Sequence, residues 1–139
     1  MRFVNLLSLR RDSMTWSTSL SLIHIYQKKP GTGAVLHTHG TYGVLWSFVP
    51  AEDETDAIPD HTPYLKMKLG KVGLIPYEKP GSQALFDAFG QRVMHSDGYL
   101  LKQHGAVVPG KNLMDAFYCL EELEESARIA WMLREAGLR

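Results

Sequence analysis

The sequence predicts an α/β sandwich, and three stretches carry the prediction. GAVLHTH (33–39) is a short apolar run that opens on a glycine and closes on two histidines. GYLLKQHGAVVPG (98–110) is a pair of apolar runs broken by a turn, and NLMDAFYCLEELEESARIAWMLREAG (112–137) is one long amphipathic stretch. Strands that alternate with helices form layers, because each element buries one face against the next.

The bulk properties narrow the class. A chain of 139 residues fits one domain, residues 1–139, with room for a real core. Apolar residues make up 45% and charged residues 22%, the balance of a globular protein. Fifteen basic and fifteen acidic residues cancel, which removes the electrostatic argument for nucleic acid or an anionic membrane as partner. Cys119 is the sole cysteine, so no intrachain disulfide can form; it reads as a buried structural thiol in a reducing compartment, the cytoplasm. In MRFVNLLSLRR the basic residues Arg10 and Arg11 end the apolar run with no cleavage-site pattern after it, so neither a signal peptide nor a membrane span is expected.

Taken in order, SMTWSTSLSLIHIYQ (13–27) has no clear period. Ala34, Val35 and Leu36 make GAVLHTH a strand buried on both faces. YGVLWSFVP (42–50) is either a helix on the sheet or a further strand, since an apolar run this short has no telling period. AEDETDAIPD (51–60) is a solvated acidic loop whose spacing matches no calcium site. KVGLIPY (71–77) is a short strand, and PGSQALFDAFGQRV (80–93) is a helix with Ser82 as its N-cap. After the strand–turn–strand of residues 98–112, Asn112 opens the last helix with Asp115 at the N3 capping position. Its apolar stripe is Leu113, Phe117, Leu120, Leu123, Ala127 and Met132, with Glu121, Glu122, Glu124 and Glu125 opposite and Gly137 as C-terminal cap.

His37 and His39 are two residues apart on a strand, so both side chains project from one face and can converge on one ion. A catalytic zinc takes three protein ligands and keeps a position open. His104 is the best third candidate: a buried strand ends there, and Gly105 permits close backbone approach. His24, His61 and His95 lack that setting. On spacing alone, a metal site and two polar residues closing a strand both remain open readings.

GAVLHTHG, IPYEKPGS and LLKQHGAVVPGKNLMDAF, in this order, closely resemble the class II aldolase/adducin family. IPDHTPYLKMKLGKVGLIPYEKPG and EELEESARI are most similar to its 3-oxo-tetronate 4-phosphate decarboxylase branch. The resemblance implies a three-layer α/β/α sandwich with a largely antiparallel central sheet, assembled as a homotetramer with sites between subunits. It implies His37, His39 and His104 as ligands of a divalent metal, zinc first, though manganese, cobalt or nickel also suit such donors. The ion would act as a Lewis acid on the ketone of a small phosphorylated sugar acid or ketose, stabilising the enediolate left when carbon dioxide or an aldehyde departs. Tyr64 falls near the position of the tyrosine that protonates the leaving fragment; the other reading of Tyr64 is a packing aromatic beside Pro63.

Two departures accompany the resemblance. Most of the family's N-terminal part, which holds the substrate phosphate, has no counterpart here, residues 1–19 match poorly, and Ser17 is the residue left to make such a contact. The family's catalytic glutamate falls on Thr18, and Asp12 is the only acid upstream of His37. These departures favour a rival reading, a non-catalytic oligomerisation or binding module. Three converging histidines favour the lyase.

Overall fold

A computed structural model of the chain describes Leu6, Leu7, Ile25 and residues 28–138. Its strands are β1 (Leu6–Leu7), β2 (Ala34–Thr38), β3 (Val72–Ile75), β4 (Gly98–Leu101) and β5 (Gly105–Gly110), and they form one sheet in the order β1-β2-β5-β4-β3. β2 runs antiparallel to both β1 and β5, and β4 runs antiparallel to β5. The parallel pair is β3–β4 at the edge, so the sheet is largely antiparallel, as the resemblance implies.

The pleat sorts the strand residues between two cores. Ala34, Leu36, Val72, Leu74, Leu100, Ala106 and Val108 face one way, against Leu120, Leu123 and Ala127 of the long helix. Val35, Ile75, Tyr99, Leu101 and Val107 face the other way, against Leu85 and Phe89 of the 80s helix and against Ile25. Helices therefore cover both faces, the arrangement of an α/β/α sandwich.

The helices are α1 (Thr41–Trp46), α2 (Tyr64–Lys68), α3 (Gln83–Arg92) and α4 (Leu113–Glu135). Both predicted N-caps form: Leu85 N–H donates to Ser82 Oγ at 3.2 Å, and Asp115 N–H donates to Asn112 Oδ1 at 2.9 Å. Gly137, at φ 70°, closes α4 with Gly137 N–H donating to the Arg134 carbonyl and Leu138 N–H to the Leu133 carbonyl. The open choice at 42–50 resolves as a helix.

Three details differ from the sequence reading. Met132 is 53% exposed, because the buried stripe of α4 runs through Ala116, Cys119, Leu120, Leu123, Ala127 and Ala130, whereas Met132 follows Ala127 by five residues and so points to another side of the helix. The acidic loop is structural at its centre: Leu74 N–H donates to the Glu54 carbonyl and Ala57 N–H to the Val72 carbonyl, covering the free edge of β3. Asp56 in that loop pairs with Lys66 of α2. Glu124 does not face solvent with its glutamate neighbours; it turns inward onto α1.

Candidate functional site

The site is built at one end of the sheet, where β2 ends and β5 begins. The pairing of β2 with β5 sets Thr38 opposite Ala106 and His37 opposite Val107. His104 stands one residue before β5, in the turn of the β4–β5 hairpin, so the hairpin delivers it beside the end of β2. Gly105 makes that approach possible: a Cβ there would overlap the Thr38 carbonyl and come 3.1 Å from His39 Cδ2.

His37, His39 and His104 come together, with one ring nitrogen of each lying within 4.8 Å of the others. Their ring centroids are 4.8–5.0 Å apart. His37 Nδ1 sits 2.9 Å from the Ala106 carbonyl, which can only accept, so Nδ1 carries the proton and Nε2 presents a lone pair. That lone pair faces His104 Nε2 at 3.3 Å. Nitrogens bound tetrahedrally to zinc at its usual bond length lie about 3.3–3.4 Å apart. A ligand histidine is normally oriented by such a bond from its other ring nitrogen, which His37 makes to Ala106. The donor set therefore fits a divalent ion. His104 Nδ1 is buried with no hydrogen-bond partner among the described residues.

Burial favours the neutral form of His37 and His104. Burial, with the neighbouring His104 and His39 adding to it, pushes His37 down to about 4, against the opposing pull of the Ala106 carbonyl. His104 is lowered as well, first by burial and then by His39. A neutral imidazole is the form that binds metal. His39 is exposed and opens the cluster to solvent.

The remaining candidates lie elsewhere. His61 and His95 are exposed and outside the cluster. Tyr64 is the first residue of α2 and is 60% exposed; its neighbour Leu65 packs into the α4-side core, on the other face of the sheet from Val35 and His37. Within one chain Tyr64 does not join the histidines. Asp12, Ser17, Thr18 and His24 lie outside the described residues. Cys119 is 4% exposed and burial raises its thiol, consistent with a structural role.

Sequence reasoning missed two supports of the site. Glu124 accepts hydrogen bonds from Tyr42 and Gly43 N–H, just after His39, and Ser47 Oγ accepts one from Gln103 N–H, just before His104. The glycines at 40 and 43 were the available signal, because both leave room for the Glu124 carboxylate.

Comparison with known proteins accords with this geometry. Over 115 residues the chain is 37% identical to the 3-oxo-tetronate 4-phosphate decarboxylase of Haemophilus influenzae, covering 83% of this chain and 55% of that protein. It is 35% identical over 105 residues to the L-fuculose phosphate aldolase of Methanocaldococcus jannaschii, covering 76% of this chain and 54% of that protein. The crystal structure of YgbL from Klebsiella pneumoniae superposes with a TM-score of 0.76 at 33% identity, covering 81% of this chain and 55% of that one. The chain thus spans about half the length of the curated relatives it matches. No described helix is long and apolar enough to cross a membrane. A family profile, the Class II Aldolase and Adducin N-terminal domain, matches residues 11–131, and with the sandwich and the histidine cluster in place the chain belongs to that family.

Proposed function

We propose that the chain carries the metal centre of a carbon–carbon lyase that acts on a small phosphorylated sugar acid or ketose, with zinc as its ion. Decarboxylation of a 3-oxo-tetronate 4-phosphate is preferred to aldol cleavage, because the chain shares 37% identity with a decarboxylase of that name. The observation that carries the reading is the convergence of His37, His39 and His104, two of them facing each other at the spacing of ligands on one ion. A bound divalent ion supplies a Lewis acid for a ketone oxygen.

The chain's own residues do the rest. The Ala106 carbonyl holds His37 in the tautomer that aims Nε2 inward, and burial keeps that ring unprotonated at neutral pH. Exposed His39 leaves the substrate an open side. Tyr64, exposed on the far helix layer, would serve as proton donor at the histidines of a neighbouring copy in a homotetramer. The buried thiol of Cys119 fits a cytoplasmic setting.

The test is to strip the chain of metal, reload it with zinc, and assay carbon dioxide release from 3-oxo-tetronate 4-phosphate beside aldehyde release from L-fuculose phosphate. Zinc-dependent release of either product supports the lyase. A stoichiometrically loaded chain that stays inert toward both when Thr18→Glu is also in place would favour the non-catalytic module.

A further inference from the structure

We infer that Glu124 is a positioning residue for the three-histidine site, fixing the turn that carries His39. The inference rests on the metal-centre reading above and adds to it a residue 20 positions beyond the nearest ligand, His104, on another element.

Helix α1 begins immediately after His39 and Gly40, and no side chain caps it from its own N-cap residue. Its first amide hydrogens would lack partners. Glu124, reaching across from α4, fills that gap: Tyr42 N–H donates to Oε1 at 2.7 Å and Gly43 N–H donates to Oε2 at 2.9 Å. A carboxylate at a helix N-terminus is favoured by the helix dipole, and hydrogen bonds to a charged acceptor are about twice as strong as neutral ones. The backbone is shaped for this contact. A Cβ on Gly43 would come 3.0 Å from Oε2, and one on Gly40 would come closer still.

The other end of α1 is tied to the second ligand loop. Ser47 is fully buried at the C-cap, donates to the Val44 carbonyl at 2.7 Å, and accepts from Gln103 N–H at 2.9 Å. Gln103 sits at φ 61°, uncommon for a residue with a side chain, and directly precedes His104. Helix α1 is therefore a strut between the loop of His39 and the loop of His104, and Glu124 anchors its first turn. Glu124 touches no reacting atom; it acts through the backbone of residues 40–43.

The experiment uses the full chain with Co(II) as probe, reading affinity by titration and ligand geometry by the visible d–d bands. Glu124→Gln keeps the shape but sets an amide NH₂ against one of the two N–H groups, and Gly43→Ala crowds the carboxylate from the other side. Both should weaken Co(II) binding about tenfold and alter the bands, as loss of an outer-sphere support does. If only helix propensity mattered, Gly43→Ala would be favourable, so its sign separates positioning from general stability. Val93→Ala, which thins the core on the sheet face away from Glu124 and α1 and touches neither, should lower stability and leave both readouts alone. The histidine Cε1–H resonances of the metal-free chain give an independent reading of the His39 turn. If they and the Co(II) readouts match wild type in both variants, the positioning role is overturned. If the wild-type chain binds no Co(II) yet the His39 resonance moves in both variants, the metal reading fails and the positioning of His39 stands.

Discussion

The Nε2 atoms of His37 and His104 face each other at 3.3 Å although 67 positions of sequence separate them. Without an ion, one ring must donate its proton to the other; with an ion, both lone pairs are used. The purified chain should therefore bind about one divalent ion through three imidazoles. Elemental analysis of wild type and His104→Ala checks this, with the variant expected to lose stoichiometric metal. Equal content in the two would remove His104 from the site.

Acid should loosen the metal-free fold through the same rings. The folded state holds His37 near 4, below the ordinary 6.5, so as pH falls the unfolded chain takes up the proton first. This contribution is complete above about pH 6.5 and is lost as pH falls toward 4, at no more than about 1.4 kcal/mol per pH unit. His104 is shifted in the same direction, so its share has the same sign. Urea melts at pH 7 and pH 5 measure the loss. His37→Asn should flatten it; an unchanged pH slope in that variant would assign the effect to other groups.

Gly105→Ala should strike the fold and the site together. The added methyl would overlap the Thr38 carbonyl and press on His39, so the β2–β5 pair must part. Overpacking of this kind costs about 1–3 kcal/mol. Thermal melts should show that loss and Co(II) titration a weaker site. A variant as stable as wild type would mean that the hairpin yields at no cost.

The resemblance puts the family's glutamate position at Thr18, and a hydroxyl cannot take a proton at neutral pH as a carboxylate can. The chain should show no measurable aldol cleavage, while slow metal-dependent decarboxylation should persist, because carbon dioxide leaves without prior deprotonation. Thr18→Glu should raise turnover by about 10²- to 10⁴-fold, the usual worth of a placed general base. Robust aldol cleavage by the unmodified chain would show that Thr18 is not at that position.

Tyr64, Met67, Met114 and Tyr118 are 47–78% exposed, and Lys68 over the Tyr118 ring at 5.3 Å draws α2 and α4 into one patch. Apolar patches of this kind mark interfaces. Sedimentation at micromolar concentration should reveal a species larger than 15.7 kDa, reduced by Met67→Glu. A monomer at all concentrations would refute the assembly.

Local chemistry made much of this protein legible. Ser82 and Asn112 cap their helices as written because a cap bonds three residues along the chain, within sequence reach. The same-face spacing of His37 and His39 is likewise a property of one strand. Met132 misled because it stands five residues beyond Ala127, about 140° further round a helix of period 3.6, and so left the core. The role of YGVLWSFVP was undecidable locally, since what makes it a helix is the α4 surface it packs on. Glu124 was hidden for a related reason. Among four glutamates of like charge, only the fold brings one to the bare amides of Tyr42 and Gly43, 82 and 81 positions away, and no periodicity encodes a partner at that distance.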